Sequence, residues 1–286
     1  MSGLMKILVP FDDNTISVAA LEYAAMFASG INAKIIAFHL ADPKDYRTKV
    51  DFQEDVEEMV NQKLRPKLRE IQKSYPDIKK IDVQIRGLSK EISRHILDFA
   101  GENDINFIIM RSHGKNKGND WEKFFQKTNA YKVILEADCP VFTFTKPPEN
   151  PKLDNILVPL DLTPGTIYKI PLAAAFAKQF NAKIHLFSAS EHLDDKPQLQ
   201  DQLNEIYDDL VGKGLKIVKL GVYDWTLPEG ILHLTESKEI DLVIIMNRPG
   251  FRWSDLWVSP KAKKIISHCK IPVISFRAEG PLNIDL

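Results

Sequence analysis

A chain of 286 residues that is 44% hydrophobic and 27% charged has room for about two domains at roughly 150 residues each. This composition excludes a disordered, collagen-like or disulfide-dense protein. Thirty-eight Lys and Arg balance thirty-nine Asp and Glu, 22 of each falling in residues 1–150, so neither half offers the basic face that duplex DNA requires.

Taken in order, Ile7–Phe11 is a short apolar run of the kind found in strands buried on both faces. Asn14 is placed to cap a helix reaching Gly30, with Gly30 as its stop. Ile35–Leu40 reads as a second strand. Phe52, Val56, Val60, Leu64, Leu68 and Ile71 mark one stripe of a long amphipathic helix, with a kink at Pro66. Val83–Arg86, Ser89–Ala100 and Ile105–Met110 give strand, helix, strand. A helix over Thr128–Glu136 and the strand Val141–Thr145 close the series.

The series then repeats. Lys6-Ile7-Leu8-Val9-Pro10-Phe11-Asp12 returns as Asn155-Ile156-Leu157-Val158-Pro159-Leu160-Asp161, and Asn32-Ala33-Lys34-Ile35 as Asn181-Ala182-Lys183-Ile184, both at an offset of 149. Ile108-Ile109-Met110 matches Ile244-Ile245-Met246 at 136, and Pro140-Val141 matches Pro272-Val273 at 132. Four matches in one order establish an internal duplication. Residues 1–146 are expected to form copy one and residues 152–286 copy two, joined by the proline-rich run 146–151. The second helix of copy two is expected over Gln198–Leu210, shorter than its counterpart.

Alternating strands and helices with apolar strands predict an α/β architecture, a parallel sheet with helices on both faces. Ligands meet such sheets beyond the strands' C-terminal ends, which directs attention to Asp12–Asn14 and Arg111–Thr128 in copy one. The matching loops of copy two are Asp161–Gly165 and Asn247–Pro260. The final strands, Pro140–Phe144 and Pro272–Phe276, are apolar edges that pairing with each other inside one chain would cover.

The segments Ile7–Asp12, Ile108-Ile109-Met110-Arg111-Ser112-His113-Gly114 and Lys132-Val133-Ile134 leading to Cys139-Pro140-Val141 resemble the universal stress protein family. So do Asp154–Asp161, Val243–Gly250 and Lys264-Ile265-Ile266 leading to Pro272-Val273. The resemblance implies two tandem Rossmann-like units of the adenine-nucleotide alpha-hydrolase type. Each would be a five-stranded parallel sheet of order 3-2-1-4-5, and the chain an intrachain pseudo-dimer, with a further homodimer as an additional level.

Members that hold ATP carry Gly-x-x-Gly-x9-Gly-Ser/Thr after the fourth strand and an Asp after the first. Glycines admit phosphate to the backbone, helix-terminal N–H groups donate to it, and the hydroxyl adds a bond. In copy one, Arg111 replaces the first Gly, Gly114 stands, and Lys127-Thr128 replaces the final pair. In copy two, Asn247 replaces the first Gly, Gly250 stands, and Ser259-Pro260 replaces the pair. The resemblance therefore implies Asp12, Arg111, His113, Gly114, Lys127 and Thr128 as the binding residues of copy one. Asp161, Gly250 and Ser259 are the weaker set of copy two.

Each residue also has a plainer role. Asp12 and Asp161 either touch a ligand or tie down their own turns. Arg111, His113, Lys115, Lys117, Lys123 and Lys127 form either an anion clamp or a solvated loop. Trp253 and Trp257, with Trp121, Phe124 and Phe125 in copy one, either stack on a ligand or partner or serve packing. Cys139 and Cys269 are expected to be inert thiols.

Enzyme signatures are missing: there is no Gly-x-Ser-x-Gly, Walker A or His-Glu-x-x-His run. Gly212-Lys213-Gly214 precedes a strand, which excludes a dinucleotide fingerprint. Seven histidines include no i,i+4 pair, so no metal and no catalytic residue is assigned. No apolar run reaches the roughly 18–20 residues that span a bilayer, and the first residues lack a signal-peptide core. Two cysteines, Cys139 and Cys269, make no disulfide framework.

The expectation is a cytoplasmic, non-catalytic stress-response binding or regulatory module with a degraded nucleotide site. It would act through a protein partner or small ligand, without nucleic acid or membrane. One alternative is a switch in which copy one alone holds ATP, AMP or another adenine nucleotide. A second is a slow nucleotide hydrolase using His113.

Overall fold

The structure, a computed structural model, describes residues 4–11, 15–41, 58, 62, 64–87, 91–112, 128–145, 148, 150–162, 164–248 and 260–277. The chain divides into two compact units. One comprises Met1–Arg111 with Pro147–Pro151, the other Ser112–Lys146 with Lys152–Leu286.

The first unit contains β1 (Lys6–Phe11), α1 (Thr15–Ile31), β2 (Lys34–Ala41), α2 (Arg65–Ser74), β3 (Ile81–Gly87), α3 (Ile92–Glu102) and β4 (Phe107–Arg111). Its strands run parallel in the order β3-β2-β1-β4. Ile7, Leu8 and Val9 are consecutive and all fully buried. Neighbouring side chains of a strand point to opposite faces, so both faces of β1 are covered. Phe27 of α1 meets Phe107 of β4 edge-on at 5.2 Å, and Phe38 of β2 meets Phe99 of α3 at 4.6 Å. Such rings each bury enough apolar surface to contribute about 1.5–3 kcal/mol.

One local expectation, the stop at Gly30, is corrected here. Helix α1 runs through Gly30 to Ile31, and Asn32, with φ 55°, takes the left-handed position that ends it. Asn181 does the same after the matching helix of copy two, also at φ 55°. The N–H groups of Ala33 and Ala182 then donate to Ala28 O and Ala177 O, each at 2.9 Å. Asparagine tolerates this conformation better than other non-glycine residues, so glycine is not required. Pro66 is the second residue of α2, and helical conformation continues upstream of it, with Glu58 in an α-helical and Gln62 and Leu64 in a π-helical turn, an irregularity of the kind a proline imposes. Most of the chain before it that was expected to continue the helix lies outside the described residues.

The second unit contains α4 (Asn129–Glu136), β5 (Val141–Phe144), β6 (Asn155–Leu160), α5 (Lys169–Phe180), β7 (Lys183–Ala189), α6 (Lys196–Gly212), β8 (Lys216–Tyr223), α7 (Leu227–Ser237), β9 (Leu242–Arg248), α8 (Pro260–His268) and β10 (Val273–Arg277). Its sheet has the order β5-β10-β9-β6-β7-β8. The five strands of copy two are parallel and follow the order 3-2-1-4-5 in their own sequence. Helix α6 extends two residues beyond each end of the expected span. Gly214, at φ 76°, turns the chain after α6 into β8, which accounts for the Gly-Lys-Gly run without a ligand.

β5, supplied by the sequence of copy one, pairs antiparallel with β10 in the register Ile274↔Phe142. The apolar edges of the closing strands thus cover each other inside one unit. Thr143 Oγ1 donates to Val273 O at 3.3 Å, and Thr145 Oγ1 to Cys269 O at 3.2 Å. Arg277, at the end of β10, donates to Glu136 O and Ala137 O at 3.0 and 3.1 Å, and pairs with Asp138. A cation at the C-terminal carbonyls of α4 suits the helix dipole.

Candidate functional site

Sequence and fold both direct attention to the C-terminal ends of the strands, and the end of β6 in copy two is described except for Thr163. After β6 the chain winds through a 3-10 turn, Pro164–Tyr168, into α5. The N–H of Asp161 donates to Thr166 Oγ1 at 3.1 Å. Ser188 at the end of β7, 0% exposed, donates its hydroxyl to Leu160 O at 2.7 Å. Lys169, the first residue of α5, is 4% exposed and donates its Nζ to Pro159 O. The backbone N–H of Asp161, a residue assigned from sequence to a ligand, is thus held by the turn that follows it.

Lys169 was missed by the sequence reading. Burial pushes its pKa down to about 8, while the Asp161 carboxylate acts in the opposite direction. Its position at a helix N-terminus is also against the dipole. The detectable signal was an exchange between copies: at the offset of 149, Lys169 answers to Ala20, Ser188 to His39 and Thr166 to Ser17.

The two helices that follow the fourth-strand loops differ in how they begin. Thr128 caps α4, its Oγ1 accepting from Tyr131 N at 3.2 Å. Helix α8 opens on Pro260, which has no N–H, and continues Lys261-Ala262-Lys263 with no acidic residue in its first turn. Arg111 is the half-buried last residue of β4. Asp12, His113, Gly114, Lys127, Gly250 and Ser259 lie outside the described residues, as do Lys115, Lys117, Lys123, Trp121, Phe124, Phe125, Trp253 and Trp257.

A second feature missed from sequence is an aromatic stack after β8. Tyr223 and Trp225 lie face to face at 4.6 Å with 4° between their planes, and Trp225 meets His233 at 4.8 Å. Gly230 of α7 fits beneath it: a Cβ there would come 2.8 Å from Phe187 and 3.5 Å from Trp225. These rings belong to the packing of α7 on the sheet.

The thiols are raised by burial, Cys139 to about 12 and Cys269 to about 11, so both stay protonated near neutral pH. Among the described residues no group of three or more His, Cys, Asp or Glu is placed to hold a metal. No described helix is long and apolar enough to cross a membrane.

The repeated order of parallel strands defines a Rossmann-like α/β protein built from two copies of one unit. The model of the universal stress protein family matches residues 3–144 and again residues 152–277. The chain belongs to that family, as a tandem two-copy member. Its fold is similar to that of a universal stress protein from Archaeoglobus fulgidus DSM 4304, with a TM-score of 0.74 and 18% identity over 95% of this chain and 96% of that one. It is also similar to a protein of unknown function from Pseudomonas aeruginosa PAO1, with a TM-score of 0.67 and 14% identity over 96% and 93%. Among curated proteins no sequence matches it.

Proposed function

We propose that this chain is a non-catalytic stress-response binding and regulatory module of the cytoplasm whose adenine-nucleotide site is degraded, and that it acts through a protein partner or small ligand. The observation that carries this reading is the start of α8. Where ATP-holding members place a hydroxyl and N–H groups for phosphate, copy two has Pro260, which supplies neither. Losing two charge-assisted bonds, at about 1.5–3 kcal/mol each, weakens phosphate binding by roughly 10²–10⁴-fold.

The second reading is a switch in which copy one alone holds ATP or AMP through Asp12, Arg111, His113, Gly114, Lys127 and Thr128. It is favoured by α4, which opens on Asn129 and Ala130, residues with backbone N–H groups and no proline. Equilibrium titration of ATP and AMP into the wild-type chain and Gly114→Trp separates the two. Binding weaker than about 100 µM and indifferent to the substitution supports the degraded site. Micromolar binding abolished by it supports the switch. ATP turnover that disappears in His113→Ala would overturn the non-catalytic reading.

A further inference from the structure

We propose that Lys169 is the resident occupant of the ligand end of β6: its ammonium takes the place a ligand's donor would have, holding copy two shut and confining small-molecule binding at this loop to copy one. The inference deepens the reading above, and its confinement half rests on the copy-one alternative.

Three side chains close the end of β6 from within. Lys169 serves Pro159 O, Ser188 serves Leu160 O, and Thr166 receives the N–H of Asp161. All three side chains are buried, so the polar groups that a crevice normally offers to a ligand are already paired. The ammonium also brings a positive charge under the loop that carries Asp161. A buried lysine at a helix N-terminus is costly on its own, through lost hydration and an opposing dipole. It is retained in a place where copy one has Ala20, 3% exposed, in the same Ile-Leu-Val-Pro-x-Asp frame. Copy one thus keeps the aspartate and lacks the internal ammonium at that position. A ligand reaching copy one with hydroxyl or amino donors, as a ribose or an adenine has, meets no competing cation from that helix.

If the ammonium is an occupant, an external one can replace it. Lys169→Ala in the full chain removes both stem and charge, and n-propylammonium chloride supplies them. The melting temperature of Lys169→Ala is expected to rise saturably with millimolar n-propylammonium, by several degrees more than with NaCl of equal ionic strength. Wild type and Lys169→Met, whose stems fill the space, stay flat. Equal responses of all three chains, or no recovery of Lys169→Ala in the amine, would overturn the occupant. The confinement half is read by titrating AMP. At most one equivalent binds wild type, and Ala20→Lys weakens that binding at least 100-fold. Undiminished AMP binding to folded Ala20→Lys sinks the confinement. Amine rescue in a chain whose wild type binds no AMP keeps the occupant and retires the copy-one nucleotide reading instead.

Discussion

The loop after β1 and the loop after β6 start from the same Ile-Leu-Val-Pro-x-Asp run, yet the chain beyond them is built differently. In copy one the residues from Thr15 onward wind directly into α1. In copy two the matching residues, Pro164–Tyr168, form a tighter 3-10 turn, and the α-helix begins only at Lys169. At the position where that helix begins copy two has a lysine and copy one an alanine, and the lysine turns inward to the carbonyl of Pro159. A motif can therefore survive duplication as letters while its polar groups change employment. In copy two the turn after β6 is held from the backbone of Asp161 by Thr166, and Lys169, eight residues on, takes the carbonyl of Pro159.

The comparison requires that the copies be joined as described, and the strongest test attacks the join. Lysine at both Phe142 and Ile274, which face each other in the β5–β10 ladder and are both fully buried, should cost more than about 5 kcal/mol by leaving two unpaired charges in the core. Denaturant unfolding and sedimentation should show a loosened, aggregating chain; stability within 1 kcal/mol of wild type, on the same scale, would contradict the pairing.

The next largest effect belongs to Lys169. Its pKa falls from 10.5 to about 8 on folding, so between those values the unfolded chain binds more protons than the folded one. Stability therefore rises with pH across that window. From pH 7 to pH 10 wild type should gain about 2–3 kcal/mol relative to Lys169→Met, measured by urea unfolding of both. Parallel pH profiles would show that the ammonium is not buried.

A smaller contrast lies in two helical glycines. Gly230→Ala should destabilise by about 1–2 kcal/mol, because its Cβ meets the fixed ring of Phe187. Gly101→Ala, with nothing within 4 Å, should be neutral or stabilising by up to about 1 kcal/mol. Thermal melts that rank the two the other way would refute the close approach. Least of all, Thr128→Ala should cost about 1 kcal/mol through the lost cap on α4, with Thr128→Ser near wild type. If circular dichroism and unfolding show no loss, the hydroxyl is engaged elsewhere.

Much of the fold was legible because its signals are local and doubled. Apolar runs such as Ile7–Phe11 and Leu157–Leu160 mark strands buried on both faces, and the second copy repeats them in the same order, at offsets of 149, 136 and 132. Boundaries were misjudged where two residues compete for one conformation. Gly30 was the conventional stop, yet Asn32 and Asn181 take the left-handed position in both copies. The site was far less legible. Thr128 and Asp161 were singled out by motif, and in the structure Thr128 accepts from Tyr131 N while the N–H of Asp161 donates to Thr166, each bond local to its own turn. Lys169 carried no motif, because a lysine beside an apolar helix start reads as a surface residue.

The amino-acid sequence by itself determined the duplication, the alternation of strands and helices, the family and the departures from the phosphate motif, since all of these are patterns along the chain. Only the tertiary structure decided the antiparallel register in which β5 closes against β10, and that Lys169 lies under the loop of Asp161. Strand register and burial depend on which surfaces meet. A side chain with a long flexible stem and a charged tip can end in water or in the core at the same sequence position.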